Sequence, residues 1–201
     1  MAKQILTTCK GIAMYPHLRK PEMYEGQEIG YTIKLVPSKE DADELEAFLR
    51  GELEKVSALP EFAGKSFANA NIGAGETKDG DTVFKFKTKS SGTTKSGETF
   101  QRIVPIYDST GKPLPKSVDV GSGSTVKVAY SIHPYYKNKN MKGITLYLEA
   151  VQVIELVPPG ERKADYFGFG TEEGGYVATE DDVMDNPFDG GGEDVTGEAD
   201  F

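Results

Sequence analysis

Apolar and polar residues alternate over several separate stretches, the period of a half-buried β-strand. In "YTIKLV", Tyr31, Ile33 and Leu35 share one face, and Thr32 and Lys34 the other. In "DTVFKFKTK", Phe84, Phe86 and Thr88 oppose Val83, Lys85, Lys87 and Lys89. In "STVKVAYSIHPYY", Val126, Val128, Tyr130 and Ile132 point to a core, with Lys127, Ala129, Ser131 and His133 outward. "ITLYLEAVQVIELV" sets Ile144, Leu146, Leu148 and Ala150 against Tyr147 and Glu149, and Pro158-Pro159-Gly160 stops it. "KQILTTCKGIAMY" is a looser early strand, followed by the turn-like "HLRKPEMYEGQE". "FQRIVPIY" reads as the return strand of a hairpin whose tip is "SSGTTKSGE", and "KNKNMKG" as a turn.

One stretch has a helical period instead. In "SKEDADELEAFLRGELEKV", Leu45, Phe48, Leu49, Leu53 and Val56 form a stripe, Ser38 can cap the start, and acids crowd the first turn. This predicts a helix over about 39–57, then loop to residue 81 with one short helical turn. Five or six strands with one inserted helix and no regular βα alternation argue for a mainly β fold. An OB-fold-like antiparallel barrel is the expected architecture, with a sandwich as the alternative.

Composition sharpens this picture at one end. The chain has 201 residues and a formal charge of -9, but eleven of its acids, and no Lys or Arg, fall in 171–201. The remainder holds 23 basic and 21 acidic residues, a net of +2. Gly-rich and acidic, that end cannot bury enough surface to offset an ordering cost of roughly 1–2 kcal/mol per residue. The expected organisation is therefore a domain over 1–160 and a linker with a disordered acidic tail over 161–201. No apolar run approaches the ~18 residues of a membrane helix. The polar N-terminus does not read as a signal peptide, and Cys9 has no internal partner, so a cytoplasmic protein is expected.

The chemistry expected is binding, not catalysis. His17 and His133 fit no zinc spacing with Cys9, and no phosphate-loop motif is present. "GSGS" at 121–124 precedes a strand, not a helix, and reads as a turn. No cofactor or metal is expected. Single-strand binding, by contrast, needs cations along the phosphates and flat rings against the bases. Candidates are Lys85, Lys87 and Lys89 in one row, Lys34 and Lys127 on other outward faces, and Tyr15 near Arg19 and Lys20 in the first long loop. Tyr135, Tyr136 and Lys137 form a cluster, and Tyr107 and Tyr147 are further platforms. A lysine row can equally be a solvated face or edge protection, and Tyr135-Tyr136 can pack on a rim. Tyr31 and Tyr130 read as core, and His133, next to Pro134, as a strand end. The acidic tail can compete with DNA for a basic groove at high effective concentration. Asp194, Glu198, Asp200 and Phe201 would form its partner-binding anchor. The alternative is a protein-interaction module or DNA mimic that inhibits a nucleic-acid enzyme.

The stretches "VPIYDSTGKPL", "VGSGSTVKVAYSI" and "GITLYLEAVQVIEL", with the closing "EADF", resemble the single-stranded DNA-binding proteins of tailed bacteriophages. The resemblance covers roughly 1–160 in layout plus the last few residues. It implies an OB-fold and roles in DNA replication, recombination and repair in the host cytoplasm. It also implies tail contacts to DNA polymerase and primase-helicase, and dimerisation through the tail.

Overall fold

A computed structural model describes residues 4–93, 97–160 and Gly174. The expected linker and disordered acidic tail lie outside these residues, apart from Gly174. The body belongs to a compact unit spanning Met1–Lys163. Its strands are β1 (Leu6–Thr7), β2 (Gly11–Tyr24), β3 (Gln27–Pro37), β4 (Ala74–Glu76) and β5 (Thr82–Thr88). Then come β6 (Ser91–Thr93), β7 (Thr99–Gln101), β8 (Ile106–Tyr107), β9 (Thr125–Asn138) and β10 (Met141–Glu155). One α-helix, α1 (Lys39–Ser57), lies between β3 and β4, followed by a single 3-10 turn at Pro60–Phe62.

Five strands close a ring. β2 pairs with β3, β3 with β5, β5 with β10, β10 with β9, and β9 with β2. The β5–β10 and β9–β2 seams are two residue pairs each, so the ring is closed over short stretches only. This is an OB-like, mainly β architecture, the partly open barrel the alternation predicted. The expectation of a wholly antiparallel sheet is corrected, because β10 runs parallel to both β5 and β8. α1 and the long connection after it separate β3 from β5, and the chain between β5 and β10 is long enough to return and run alongside β5.

Alternation fixes the core. Ile33, Leu35, Phe84, Phe86, Val126, Val128, Leu146 and Leu148 are buried, as are Tyr31 and Tyr130, read as core from their faces. Tyr130 meets Phe86 edge-on at 5.3 Å, and burial pushes its phenol up to about 12. α1 begins where expected: Ser38 Oγ accepts from Asp41 N, capping the first turn. Its buried side is Ala42, Leu49 and Leu53, with Leu45 packed against the core. Phe48, expected in that stripe, is exposed.

Three boundaries differ from the sequence expectation. β2 does not stop at Tyr15 but runs to Tyr24 through Pro16 and Pro21, with register breaks that absorb the missing donors. Arg19 and Lys20 therefore stand on a strand, not in a loop. "FQRIVPIY" does not return along β5. Its first residues pair with β6 in a separate two-stranded sheet, and Ile106–Tyr107 joins β10. The tip of that hairpin, 94–96, lies outside the described residues. β9 continues past His133 and Pro134 to Asn138, so His133 is mid-strand and the hairpin turn is only Lys139-Asn140. Asn138 Oδ1 accepts from the backbone N–H groups of Asn140 and Met141 and holds that turn.

Candidate nucleic-acid interface

Side chains that leave the core on β3, β5, β10 and β9 meet on one outer face. Register aligns Thr32 with Lys87, Lys87 with Tyr147, and Tyr147 with Ser131, a row across four strands. In a neighbouring row Lys34 stands directly opposite Lys85. Lys34, Lys85, Lys87, Tyr135 and Thr145 line a common cleft. Like charges facing one another across a ladder destabilise a sheet unless an anion sits with them. The partial counterweight is Glu22, whose Oε2 lies 3.9 Å from Lys85 Nζ and accepts from Thr32 Oγ1 at 2.7 Å.

Rings flank these cations. Tyr147, on β10, stands between β5 and β9, and each side supplies a partner. From the β5 side, the Arg102 guanidinium carbon lies 5.1 Å from the ring centroid, while Arg102 Nη1 donates to Thr88 Oγ1 at 2.7 Å. From the β9 side, the His133 ring lies at 4.8 Å. Ser131 Oγ donates to Glu149 Oε1 at 2.6 Å, which leaves its oxygen to accept from His133 Nε2 at 3.2 Å. Tyr147 thus has two close neighbours, the His133 ring tilted at 45° to it and the Arg102 guanidinium. Tyr15, at the margin, places its ring 5.5 Å from Lys34 Nζ. Among the described residues no cluster of three or more His, Cys, Asp or Glu could hold a metal.

The face gathers Tyr15, Lys34, Lys85, Lys87, Tyr135 and Tyr147 from the sequence candidates. Lys89 follows β5 and is exposed, and Lys137, exposed near the β9–β10 turn, shares the strand side of Tyr135 by alternation. Other candidates stand elsewhere. Tyr136 points the opposite way from Tyr135 and packs on Phe67 at 5.6 Å, with Lys65 Nζ 5.5 Å from its ring. Arg19 Nη2 donates to the carbonyls of Leu114 and Pro115, so its guanidinium ties β2 to a loop, while Lys20 is exposed on β2. Lys127 and Tyr107 both pair with Gln152, five positions along β10 from Tyr147. Sequence reading missed Arg102 and undervalued His133. Arg102 lay in a stretch read as a plain return strand, and His133 was set aside because Pro134 follows it. The outward parity of His133 with Ser131 was the available signal.

The tandem "GSGS" is the turn expected of it. Ser124 Oγ is buried, shares its one hydrogen between the carbonyls of Gly121 and Val157, and accepts from Val157 N. Burial, then nearby Asp41, pushes the Cys9 thiol up, away from the reactive thiolate.

The ring of strands, with cations and aromatic rings gathered on one face, defines the class: an OB-like barrel of the nucleic-acid-binding type. Comparison with known proteins narrows it. The family described as single-stranded DNA-binding protein, bacteriophage T7, matches residues 65–156. The single-stranded DNA-binding protein of Escherichia phage T7 is 30% identical over 89% of this chain and 87% of that protein. That of Enterobacteria phage T3 is 36% identical over 51% of this chain, and the match spans 45% of the T3 protein. The crystal structure of the T7 protein gp2.5 superposes with a TM-score of 0.66 at 28% identity, covering 89% of this chain and all of that one. The bacteriophage Enc34 single-stranded DNA-binding protein, in complex with ssDNA, gives 0.56 at 17% identity over 78% and 89% of the two chains, a likeness of fold. The chain belongs to the T7-type family of phage single-stranded DNA-binding proteins. These relatives are binding proteins and not enzymes, in line with the reading of the residues.

Proposed function

We propose that this protein binds single-stranded DNA without strong sequence preference along the outer face of β3, β5, β10 and β9. The observation that carries the reading is the direct opposition of Lys34 and Lys85, with Lys87 two residues on, beside the Tyr147 ring and its neighbours His133 and Arg102. A chain of phosphates relieves the repulsion between the lysines, and bases find flat surfaces within reach of the same strands. Duplex DNA has its bases already stacked and gains only the electrostatic part. The protein therefore protects exposed strands during phage DNA replication, recombination and repair in the host cytoplasm. The acidic segment 171–201 competes with DNA for the cationic face. When DNA displaces it, Asp194, Glu198, Asp200 and Phe201 recruit the DNA polymerase and primase-helicase and support a homodimer. On this reading 1–160 is the binding domain and 161–201 the linker and tail.

Fluorescence anisotropy with a labelled oligothymidylate and a duplex of the same length tests the first part. Binding is expected to favour the single strand and to weaken steeply with salt. Equal affinity for both forms, or insensitivity to salt, overturns it. Removing 161–201 should tighten binding most at low ionic strength, where a competing polyanion is least screened. Weaker binding by the truncated chain rejects the competition.

A further inference from the structure

Tyr15 combines features that ordinary packing does not explain. It is 62% exposed, and its backbone has φ 49°, the left-handed region that a bulky side chain rarely adopts. It lies at a break in the β2–β3 ladder: Met14 pairs with Lys34 and His17 with Thr32, so Tyr15 and Pro16 oppose the single residue Ile33. That is the geometry of a bulge, and its left-handed position usually carries glycine. Pro16 has no N–H to give the ladder. A large apolar ring thus occupies a strained position while burying little of itself.

The surroundings keep it there. The turn Gly121–Ser124 docks on β2 beside the bulge: Ala13 N donates to Ser124 O at 2.8 Å and Gly123 N donates to Ala13 O at 2.9 Å. Two residues further on, the Tyr15 N–H finds its acceptor in a side chain, Ser122 Oγ, at 3.0 Å. The ring then projects to Lys34 Nζ at the margin of the cationic face. Strain retained at an exposed ring beside a binding surface is the pattern of a site held against local preference.

We propose that Tyr15 is a base-stacking residue which the bulge aims at the strand, and that Ser122 is its positioning residue. This rests on the single-strand reading of the Lys34–Lys85 face and deepens it. The ammonium of Lys34 sits between the Tyr15 ring and the place of a phosphate, so one nucleotide would be held by its base and its backbone at this margin.

The test uses the full-length chain with Tyr15→Phe, Tyr15→Ala, Tyr15→Gly, Ser122→Ala and the Tyr15→Ala/Ser122→Ala double variant. Oligothymidylate affinity and the melting temperature are read for each. Tyr15→Phe should bind like the parent, since the ring remains. Tyr15→Ala and Tyr15→Gly should each bind about tenfold more weakly. Ser122→Ala should weaken binding by a smaller factor, and the double variant should bind no worse than Tyr15→Ala alone. The glycine variant should melt above the alanine variant, the reverse of the order at an ordinary strand position. Parental affinity in Tyr15→Ala overturns the stacking role. Additive losses in the double variant overturn the role of Ser122, and alanine melting above glycine overturns the strain. If the parent binds no single strand at all, the face reading fails first. If Lys85→Ala weakens binding while Tyr15→Ala does not, only the present proposal falls.

Discussion

The β9–β10 ribbon offers similar residues at its two ends and treats them differently. At one end Tyr147, His133 and Tyr135 sit beside Lys34, Lys85 and Lys87. At the other, Lys127 and Tyr107 flank Gln152. There the polar groups are answered from within. Gln152 Nε2 donates to the carbonyls of Asp108 and Ser109, and Asp108 Oδ1 accepts from Thr110 N, Thr110 Oγ1 and Lys112 N. At the first end two lysines face each other with one carboxylate near them. On the proposed reading, a cation and a ring serve as a site where neighbouring strands crowd like charges that Glu22 only partly offsets. On the same reading, where a turn folds back on its own donors and acceptors, the same residue types are only surface.

Charge at the first end is the most direct way to break this contrast. Replacing Lys34, Lys85 and Lys87 together by alanine should weaken oligothymidylate binding by about 10- to 100-fold at low salt. It should also flatten the slope of log affinity against log salt by about 2, since each phosphate neutralised on a single strand adds ~0.7 to that slope. The variant should melt no lower than the parent, because removing Lys34–Lys85 repulsion offsets the missing attraction between Lys85 and Glu22. An unchanged salt slope, measured by anisotropy, would take these strands out of the interface. Tyr147→Ala comes next, with a loss of about tenfold. Arg102→Ala should give part of that loss, since it removes the guanidinium beside the ring and leaves the ring.

Tyr135 and Tyr136 sharpen the contrast over two adjacent residues. Tyr136→Ala should lower stability by about 1–2 kcal/mol because Phe67 loses one of its two ring neighbours, keeping only Phe62 at 5.3 Å, with oligothymidylate affinity unchanged. Tyr135→Ala should do the opposite. The pair also marks how far the sequence could be read. Strict alternation along 83–89 and 126–132 identified the core and the outward lysines, because a two-residue period leaves each side chain one choice of face. The helix was legible to its termini, since Ser38 and the acids after it are local signals. The rows across strands were not legible. Lys87 meets Tyr147 through a parallel pairing, and parallel register is set by crossover length and barrel closure, neither of which has a local signature. Arg102 reaches Tyr147 from a segment whose pairing changes from one sheet to another, so no face could be assigned to it. The extension of β2 through two prolines was hidden for a related reason: proline argues against a strand unless bulges remove the need for its N–H.

The smallest effects belong to the far end, and they separate stability from binding. Lys127→Ala with Tyr107→Ala should leave oligothymidylate affinity within about twofold of the parent, the expected range for one half-buried cation away from the proposed path of the strand. Asp108→Asn tests the same end through its charge. Hydrogen bonds from the Thr110 hydroxyl, first, and the Lys112 amide hold the Asp108 carboxyl below its ordinary range. A carboxylate lowered on folding adds stability above its unfolded value of about 3.9, and that stability is lost as pH falls through the lower folded value. At neutral pH the asparagine variant, which keeps the acceptor oxygen and lacks the charge, should therefore melt below the parent. The gap should narrow as the solution is acidified below about pH 4 and vanish once pH falls below the lower folded value, where the parent's own carboxyl is neutral in both states. DNA affinity at neutral pH should not change. A gap that persists in acid would mean that the turn depends on shape and not on charge. A change in affinity would mean that the far end, too, touches the strand, and the division of the ribbon into a binding end and a closed end would fail.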